Sequence, residues 1–123
     1  MDPKRILLVE DDEFLRDVYQ EVLSAEGFSI TVAADGNTAL EKVKQGNWDL
    51  ILMDFYIPQL SGIDIVNQIQ HLSPSPAKKI VFLTNVSDEK DLNQMATLGN
   101  DYLIKSDLTP QQLVEKVKSY LSN

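Results

Sequence analysis

Five short apolar runs, each followed by a segment of helical periodicity, constrain the fold of this chain more than any other feature. The runs cover residues 6–9, 28–33, 50–53, 80–83 and 102–104. Four of them are nearly continuous, which is typical of parallel strands covered on both faces, whereas residues 28–33 alternate and favour an edge strand. The pattern predicts an α/β protein with an open, doubly wound parallel sheet.

The size of the chain fits one such unit. With 123 residues it can bury a core of its own, and we expect a single domain over residues 1–123 with no output domain. A domain cut from a longer protein would have the same sequence, so that alternative stays open.

The composition argues against several classes of function. A formal charge of −8 disfavours direct binding to nucleic acid or to acidic membrane surfaces. The absence of cysteine excludes disulfides and thiolate sites, and the single histidine, His71, excludes multi-histidine zinc sites. The sequence shows no signal peptide, and no apolar run approaches the ~20 residues of a membrane helix, so the cytosol is the expected location.

Polar residues follow four of the predicted strands. They are Glu10, Asp11 and Asp12 after the first run, Asp54 after the third, Thr84 and Asn85 after the fourth, and Lys105 and Ser106 after the fifth. In doubly wound sheets, ligands bind beyond the carboxyl ends of the strands, near the point where the strand order reverses. We therefore expect these side chains to converge on one site at that edge.

The acidic residues at this edge indicate a cation site. Several carboxylates in one crevice repel each other unless a cation binds them, and Mg²⁺ prefers carboxylate, water and phosphate oxygens. Taken alone, the stretch "EDDE" would be the acidic first turn of a solvated helix, and Lys105 would be a plain salt-bridge partner. Combined with Asp54, these residues predict a carboxylate that attacks phosphorus to give an acyl phosphate, assisted by Mg²⁺ and an ammonium group.

Four motifs of the chain resemble those of the response-regulator receiver domains of bacterial two-component signalling. They are "LLVEDDE" at the first strand end, "MDFYIPQLSG" with its Asp-x₃-Pro-x₃-Gly spacing, "FLT" at the fourth strand end and "DYLIK" at the fifth. The resemblance covers essentially the whole chain and implies the flavodoxin-like (βα)₅ architecture with strand order 2-1-3-4-5. It also implies a signalling protein in the single-domain form of the chemotaxis response regulators, which promotes only its own phosphotransfer and autodephosphorylation.

The same resemblance assigns roles to the residues at the strand ends. It implies that Asp54 is the phosphoacceptor and receives a phosphoryl group from a phosphohistidine on a sensor histidine kinase or phosphotransfer protein. Magnesium would be bound by Asp11 directly, by Glu10 mainly through water, by Asp54 and by the backbone carbonyl of Tyr56. Lys105 would contact the phosphoryl oxygens. Asp12 would lie outside the acidic pair and begin the first helix.

A conformational switch is a further implication of the resemblance. Thr84 would move inward to bond a phosphoryl oxygen, and the aromatic ring of Tyr102 would turn from an exposed to a buried position. The surface of the fourth helix, fifth strand and fifth helix, about residues 87–121, would then bind a downstream effector protein. Ser87 is the expected cap of the fourth helix. The plain alternative is that Tyr102 is a half-buried strand residue.

Three positions depart from the usual family pattern. Asn85 stands where a small residue is common after Thr84. Ser106 replaces the Pro that commonly follows Lys105 with a cis bond, although a cis bond before a residue other than Pro costs ~2.5–4 kcal/mol. Tyr56 is large for its position, and our hypothesis is that its ring shields the acyl phosphate from water and slows its hydrolysis.

Other functions stay open at this point. A Mg²⁺-dependent phosphatase with an aspartyl intermediate typically has a second Asp two residues beyond the nucleophile, where this chain has Tyr56. A flavin or nucleotide binder on a similar sheet would need a phosphate-binding glycine loop, and neither common form of that motif occurs. Within the receiver interpretation, a phosphorelay intermediate and a terminal effector are both compatible with the sequence.

Overall fold

The computed structural model of the chain describes residues 2–85 and 89–122. The strands are β1 (Arg5–Val9), β2 (Ser29–Ala33), β3 (Leu50–Asp54), β4 (Ile80–Thr84) and β5 (Asp101–Ile104). The helices are α1 (Glu13–Ala25), α2 (Gly36–Lys44), α3 (Gly62–Ile69), α4 (Glu89–Leu98) and α5 (Pro110–Leu121). A short 3₁₀ helix, Lys105–Asp107, joins β5 to α5. The predicted cap Ser87 lies outside the described residues.

All five strands are parallel and lie in the order β2-β1-β3-β4-β5, which confirms the predicted fold. The order reverses at β1, so the crevice beyond β1 and β3 is the expected ligand position. The register places Asp54 beside Leu83 and Thr84 beside Ile104. The carboxyl ends of β3, β4 and β5 therefore meet at one edge.

The continuous apolar runs are explained by burial on both faces of the sheet. Alternate residues of β1 enter different cores, with Leu7 and Val9 in the core on the side of α2 and α3, and Ile6 and Leu8 in the core on the side of α1 and α5. The edge strand β2 is different, because most of its residues are partly exposed. This confirms the edge position predicted from its alternating pattern.

The peptide bond between Lys105 and Ser106 is trans. In the part of the chain that the structure describes, the cis bond is that between Ser73 and Pro74. The segment after β5 instead turns as the 3₁₀ helix, in which Leu108 N–H donates to the Lys105 carbonyl at 3.2 Å. Ser106 therefore follows Lys105 without the cis geometry common at this position.

Over residues 2–85 and 89–122, none of the helices has the length and apolar character needed to cross a lipid bilayer.

Candidate functional site

Lys105 joins two carboxylates at the carboxyl edge of the sheet. Its Nζ atom lies 2.6 Å from Oε1 of Glu10, directly after β1, and 2.8 Å from Oδ2 of Asp54, the last residue of β3. The three side chains come from segments far apart in the chain, and the parallel topology brings their strand ends together. The predicted convergence of Glu10, Asp54 and Lys105 is confirmed.

The three charged groups of this cluster are almost completely removed from solvent. Glu10 is 0% exposed and Asp54 5%, while the Lys105 side chain is 9% exposed. Buried ion pairs lose so much hydration that they contribute little net stability, but removal of one partner leaves an uncompensated charge. The cluster also contains two carboxylates and one ammonium group, so it has an excess of negative charge.

Burial and charge change the proton affinities of the cluster. Burial raises the pKa of Asp54 to about 7; Lys105 acts in the opposite direction, and Glu10 adds to the increase. For Lys105, burial lowers the pKa, but the hydrogen bonds and charges of Asp54 and Glu10 outweigh this and leave the pKa raised. Lys105 is therefore charged near neutral pH, whereas Asp54 titrates in that range, and a further cation would favour its ionised form.

The loop after β3 positions the Asp54 carboxylate. The backbone N–H of Tyr56 donates to Oδ1 of Asp54 at 3.2 Å, and Gly62 N–H donates to the Phe55 carbonyl at 3.0 Å. A Cβ atom on Gly62 would lie only 2.6 Å from the Asp54 carbonyl oxygen. Gly62 is therefore required by the close approach of α3 to the end of β3, while Ser61 caps the helix by accepting from Asp64 N–H.

Three carboxylates of the site lie close enough to share a cation. Glu10, Asp11 and Asp54 each offer one oxygen, and these oxygens lie within 4.8 Å of one another. Glu10 Oε1 is buried and, apart from its ion pair with Lys105, has no hydrogen-bond donor among the described residues. A set of three carboxylate oxygens with a single ammonium group beside it fits a hard divalent ion such as Mg²⁺.

Asp12 lies outside the cation cluster, the name used here for the three carboxylates Glu10, Asp11 and Asp54, as predicted. Its side chain caps α1 by accepting from Leu15 N–H at 3.0 Å, and its own N–H donates to Oε2 of Glu10 at 3.1 Å. The guanidinium of Arg16 donates to the Glu10 carbonyl at 3.0 Å and to the Asp11 carbonyl at 3.3 Å. This support from Arg16 was not predicted, because a single Arg one turn into a helix has no distinguishing pattern.

Tyr56 connects the loop after β3 to α4. Its hydroxyl donates to Oδ2 of Asp91 at 3.0 Å, and its ring meets the Phe55 ring edge-on with 4.7 Å between centroids. The side chain is 56% exposed. Asp91 was missed by the sequence reasoning, since nothing in the helical pattern distinguishes it from neighbouring acidic residues. The assignment of the Tyr56 carbonyl as a metal ligand stays a prediction.

The two expected switch residues lie on neighbouring strands. Thr84 is buried at the end of β4 with 1% of its surface exposed, and Tyr102 of β5 is half-buried beside its register partner Phe82. The Tyr102 ring packs against the core on the side of α2 and α3. Half-burial is compatible with a moving ring and with a plain strand residue, so the switch role stays a prediction.

Comparisons with known proteins agree with this arrangement. The family model of the response regulator receiver domain matches residues 6–118. The chain is 36% identical over 118 residues to the DNA-binding response regulator MtrA of Mycobacterium tuberculosis, covering 96% of this chain and 50% of MtrA. It is 32% identical to the transcriptional regulatory protein ResD of Bacillus subtilis, covering 95% of this chain and 48% of ResD. The chain thus spans about half the length of these relatives.

Solved structures show the same fold. A CheY-like response regulator receiver domain protein of Methanospirillum hungatei matches with a TM-score of 0.86 and 27% identity, covering 98% of this chain and 94% of that chain. The chemotaxis protein CheY4 of Vibrio cholerae matches with a TM-score of 0.86 over 97% of this chain and 99% of that chain; at 23% identity it supports the fold alone. With the family model matched over residues 6–118 and the site at the expected sheet edge, the chain belongs to the response regulator receiver domain family.

Proposed function

We propose that Asp54 is the phosphoacceptor of this receiver domain and takes a phosphoryl group from a phosphohistidine on a sensor histidine kinase or a phosphotransfer protein. The observation that carries the proposal is the contact between Asp54 and Lys105 at 2.8 Å, in a buried cluster at the carboxyl edge of the sheet. A carboxylate in such a position is an effective nucleophile when a neighbouring cation keeps it ionised.

The proposed transfer needs no further covalent group from the protein. A carboxylate oxygen of Asp54 attacks phosphorus, the bond between phosphorus and the imidazole nitrogen breaks, and its electron pair leaves with the imidazole. Phosphoryl transfer is catalysed mainly by positioning and by charge stabilisation. The ammonium of Lys105 lies within reach of oxygens attached to Asp54, and the N–H of Tyr56 holds the carboxylate in place.

Glu10, Asp11, Asp54 and the carbonyl of Tyr56 would hold Mg²⁺. When bound, Mg²⁺ would offset the negative charge of the carboxylates and of the phosphoryl oxygens. The need for a cation follows from the cluster itself, because burial raises the pKa of Asp54 to about 7. Asp11 is exposed at the rim of the cluster and is the natural direct ligand, whereas the buried Glu10 is already paired with Lys105.

Phosphorylation would alter the surface formed by α4, β5 and α5. The new phosphoryl group adds charge of about −1.5 to −2 and strong acceptor oxygens. Thr84 would turn toward them and Tyr102 would enter the vacated space, which changes the surface that an effector protein binds. The same residues would promote slow autodephosphorylation, and the cytosolic location stays a prediction.

The other functions considered have less support than the receiver function. Tyr56 stands where an aspartyl phosphatase would need its second Asp, and the Tyr56 hydroxyl is bonded to Asp91. No observation favours a phosphorelay intermediate over a terminal effector.

The proposal is tested by incubating the protein with acetyl phosphate and Mg²⁺ and measuring its intact mass. We expect one added phosphoryl group in the wild type, none in Asp54→Asn and none when EDTA replaces Mg²⁺. Asp12→Asn is the matched control, because Asp12 caps α1 and lies outside the cation cluster; it should be phosphorylated normally. Equal labelling of Asp54→Asn and wild type would contradict the proposal.

A further inference from the structure

The hydrogen bond from Tyr56 to Asp91 joins the loop after β3, here called the phosphoacceptor loop because it follows Asp54, to α4. It connects side chains 35 positions apart, with 3.0 Å between the Tyr56 hydroxyl and Oδ2 of Asp91. Asp91 lies in the first turn of α4, which follows the end of β4 at the same edge of the sheet as Asp54. The Tyr56 side chain therefore spans the distance between the phosphoacceptor loop and the start of α4.

Within residues 2–85 and 89–122, contacts with Asp54, Phe55 and Asp91 fix the direction of the Tyr56 side chain. Its backbone N–H is bound to Oδ1 of Asp54 at 3.2 Å, its ring meets Phe55 edge-on, and its hydroxyl donates to Asp91. Phe55 is itself fixed, because it is 4% exposed and packs against Phe82 with 6.0 Å between ring centroids. The backbone of Tyr56 is thus held at the carboxylate and its hydroxyl at α4, although 56% of Tyr56 is exposed to solvent.

We propose that Asp91 is a positioning residue for the acyl phosphate, because it anchors the Tyr56 ring across the mouth of the site and so limits the access of water to the phosphoryl group. This inference rests on the proposed phosphorylation of Asp54. Water must approach phosphorus from the side opposite Asp54 to hydrolyse the acyl bond. A ring anchored at both ends obstructs this approach more than a ring attached through its backbone alone.

The anchor also links the lifetime of the phosphoryl group to the position of α4. Among the described residues of α4, Met95 is fully buried, while Leu92 and Leu98 are half-buried against the core. A helix with so little buried surface can be displaced at a low cost in free energy. A partner that binds α4 and displaces Asp91 would therefore shorten the lifetime.

The test is the rate of phosphoryl loss after the phosphodonor has been removed by rapid desalting, followed by intact mass in Mg²⁺ buffer. Tyr56→Phe keeps the ring and removes the hydroxyl, whereas Asp91→Ala keeps Tyr56 and removes its acceptor. We expect each variant to lose the phosphoryl group about 3- to 10-fold faster than wild type, the size of effect that one exposed hydrogen bond produces. The double variant should be no faster than either single variant, because both remove the same contact.

Two controls separate positioning from a general structural effect. Asp91→Asn keeps a carbonyl oxygen that can accept from Tyr56, so its rate should stay near that of wild type. Glu89→Ala removes an exposed acidic residue from the same turn of α4 and should leave the rate unchanged. The Asp91 and Glu89 variants should gain the phosphoryl group at the same initial rate as wild type.

The outcomes for this inference and for the proposed function are distinguishable. Normal labelling with unchanged loss rates in Tyr56→Phe and Asp91→Ala would overturn the role of Asp91 and leave phosphorylation of Asp54 intact. Additive effects in the double variant would overturn it as well. The absence of labelling in the wild type would instead remove the proposed function, on which this inference rests.

Discussion

The ammonium nitrogen of Lys105 lies 2.8 Å from Oδ2 of Asp54, although 51 positions separate the two residues in the chain. The same nitrogen lies 2.6 Å from Oε1 of Glu10. One ammonium group therefore lies between two buried carboxylates. We expect Lys105 to matter for the stability of the domain as well as for the proposed phosphoryl transfer.

Removal of Lys105 tests this dependence. In Lys105→Met the carboxyl groups of Glu10 and Asp54 stay buried without their ammonium partner, and we expect the free energy of unfolding to fall by about 3 kcal/mol near neutral pH. The measurement is urea denaturation in the presence of EDTA. Lys118→Met is the matched control, because Lys118 pairs with Glu26 in solvent at 3.0 Å; it should change stability little. Equal effects of the two substitutions would contradict the argument.

The raised pKa of Asp54 predicts a pH-dependent stability in metal-free protein. Its value of about 7 in the folded protein exceeds the ordinary value of 3.8. Between these values the folded state keeps a proton that the unfolded chain has lost, so wild-type stability falls as the pH rises. Asp54→Asn does not titrate, and we expect it to become more stable than wild type by on the order of 2 kcal/mol once the pH exceeds the folded pKa.

Urea denaturation in EDTA across this pH range measures the difference between Asp54→Asn and wild type. The advantage of Asp54→Asn should be largest in mildly alkaline buffer and smallest below pH 3.8, where Asp54 of the wild type is mostly protonated in the folded and the unfolded state. A pH-independent difference, or one that grows toward acid, would show that burial of the charge is not its cause.

The cation cluster predicts selective loss of Mg²⁺ affinity in Asp11→Asn. Asp11 contributes one of the three oxygens that lie within 4.8 Å of one another, so its replacement removes a charged ligand. We expect binding measured by titration calorimetry to weaken at least about tenfold. Asp12→Asn removes an equal charge one residue away and should retain most of the affinity. Similar losses in both variants would indicate a general charge effect.

The close contact at Gly62 predicts a substitution that disturbs Asp54, the proposed phosphoacceptor. The Cβ atom of Gly62→Ala would lie 2.6 Å from the Asp54 carbonyl oxygen, and the backbone must shift to make room. We expect a loss of about 1–3 kcal/mol in stability and slower labelling by acetyl phosphate. Gly46→Ala is the control, since Gly46 has a positive φ of 77° but nothing within 4 Å of a new Cβ; it should lose stability and label at the normal rate.

The switch proposal predicts that Thr84→Val separates phosphorylation from its consequence. Valine keeps the buried volume at the end of β4 and removes the hydroxyl that would bond the phosphoryl group. We expect normal labelling of Asp54, while the NMR signals of the Tyr102 ring change on labelling in wild type and stay unchanged in Thr84→Val. Identical changes in both proteins would exclude a hydroxyl-driven movement of Tyr102.

The sequence was sufficient to predict the sheet and the residues at its carboxyl edge. Strands such as β1 and β3 are continuous apolar runs because both faces of the sheet are covered, and a residue after a parallel strand must lie at that edge. Asp54 and Lys105 were therefore predictable together from chain position alone, before any contact between them was known.

Contacts that depend on exact distances could not be predicted in the same way. The bond from Tyr56 to Asp91 depends on the placement of a loop against a helix, and helical periodicity describes only the buried face of that helix. The Asp-x₃-Pro-x₃-Gly motif marks Gly62, but the reason for a glycine there, the 2.6 Å separation between an added Cβ and the Asp54 carbonyl oxygen, cannot be read from the spacing. Both features depend on how the loop after β3 packs against its neighbours.

Chemical trapping of the phosphorylated residue tests the central claim most directly. The protein is labelled with acetyl phosphate and Mg²⁺, reduced with borohydride and digested, because borohydride converts an aspartyl phosphate, and not a free aspartate, to homoserine. We expect homoserine at position 54 alone, and none after labelling in EDTA. Homoserine at Asp11 or Asp12, or a phosphoryl group that resists borohydride on a serine or threonine, would contradict the assignment of Asp54 as the phosphoacceptor.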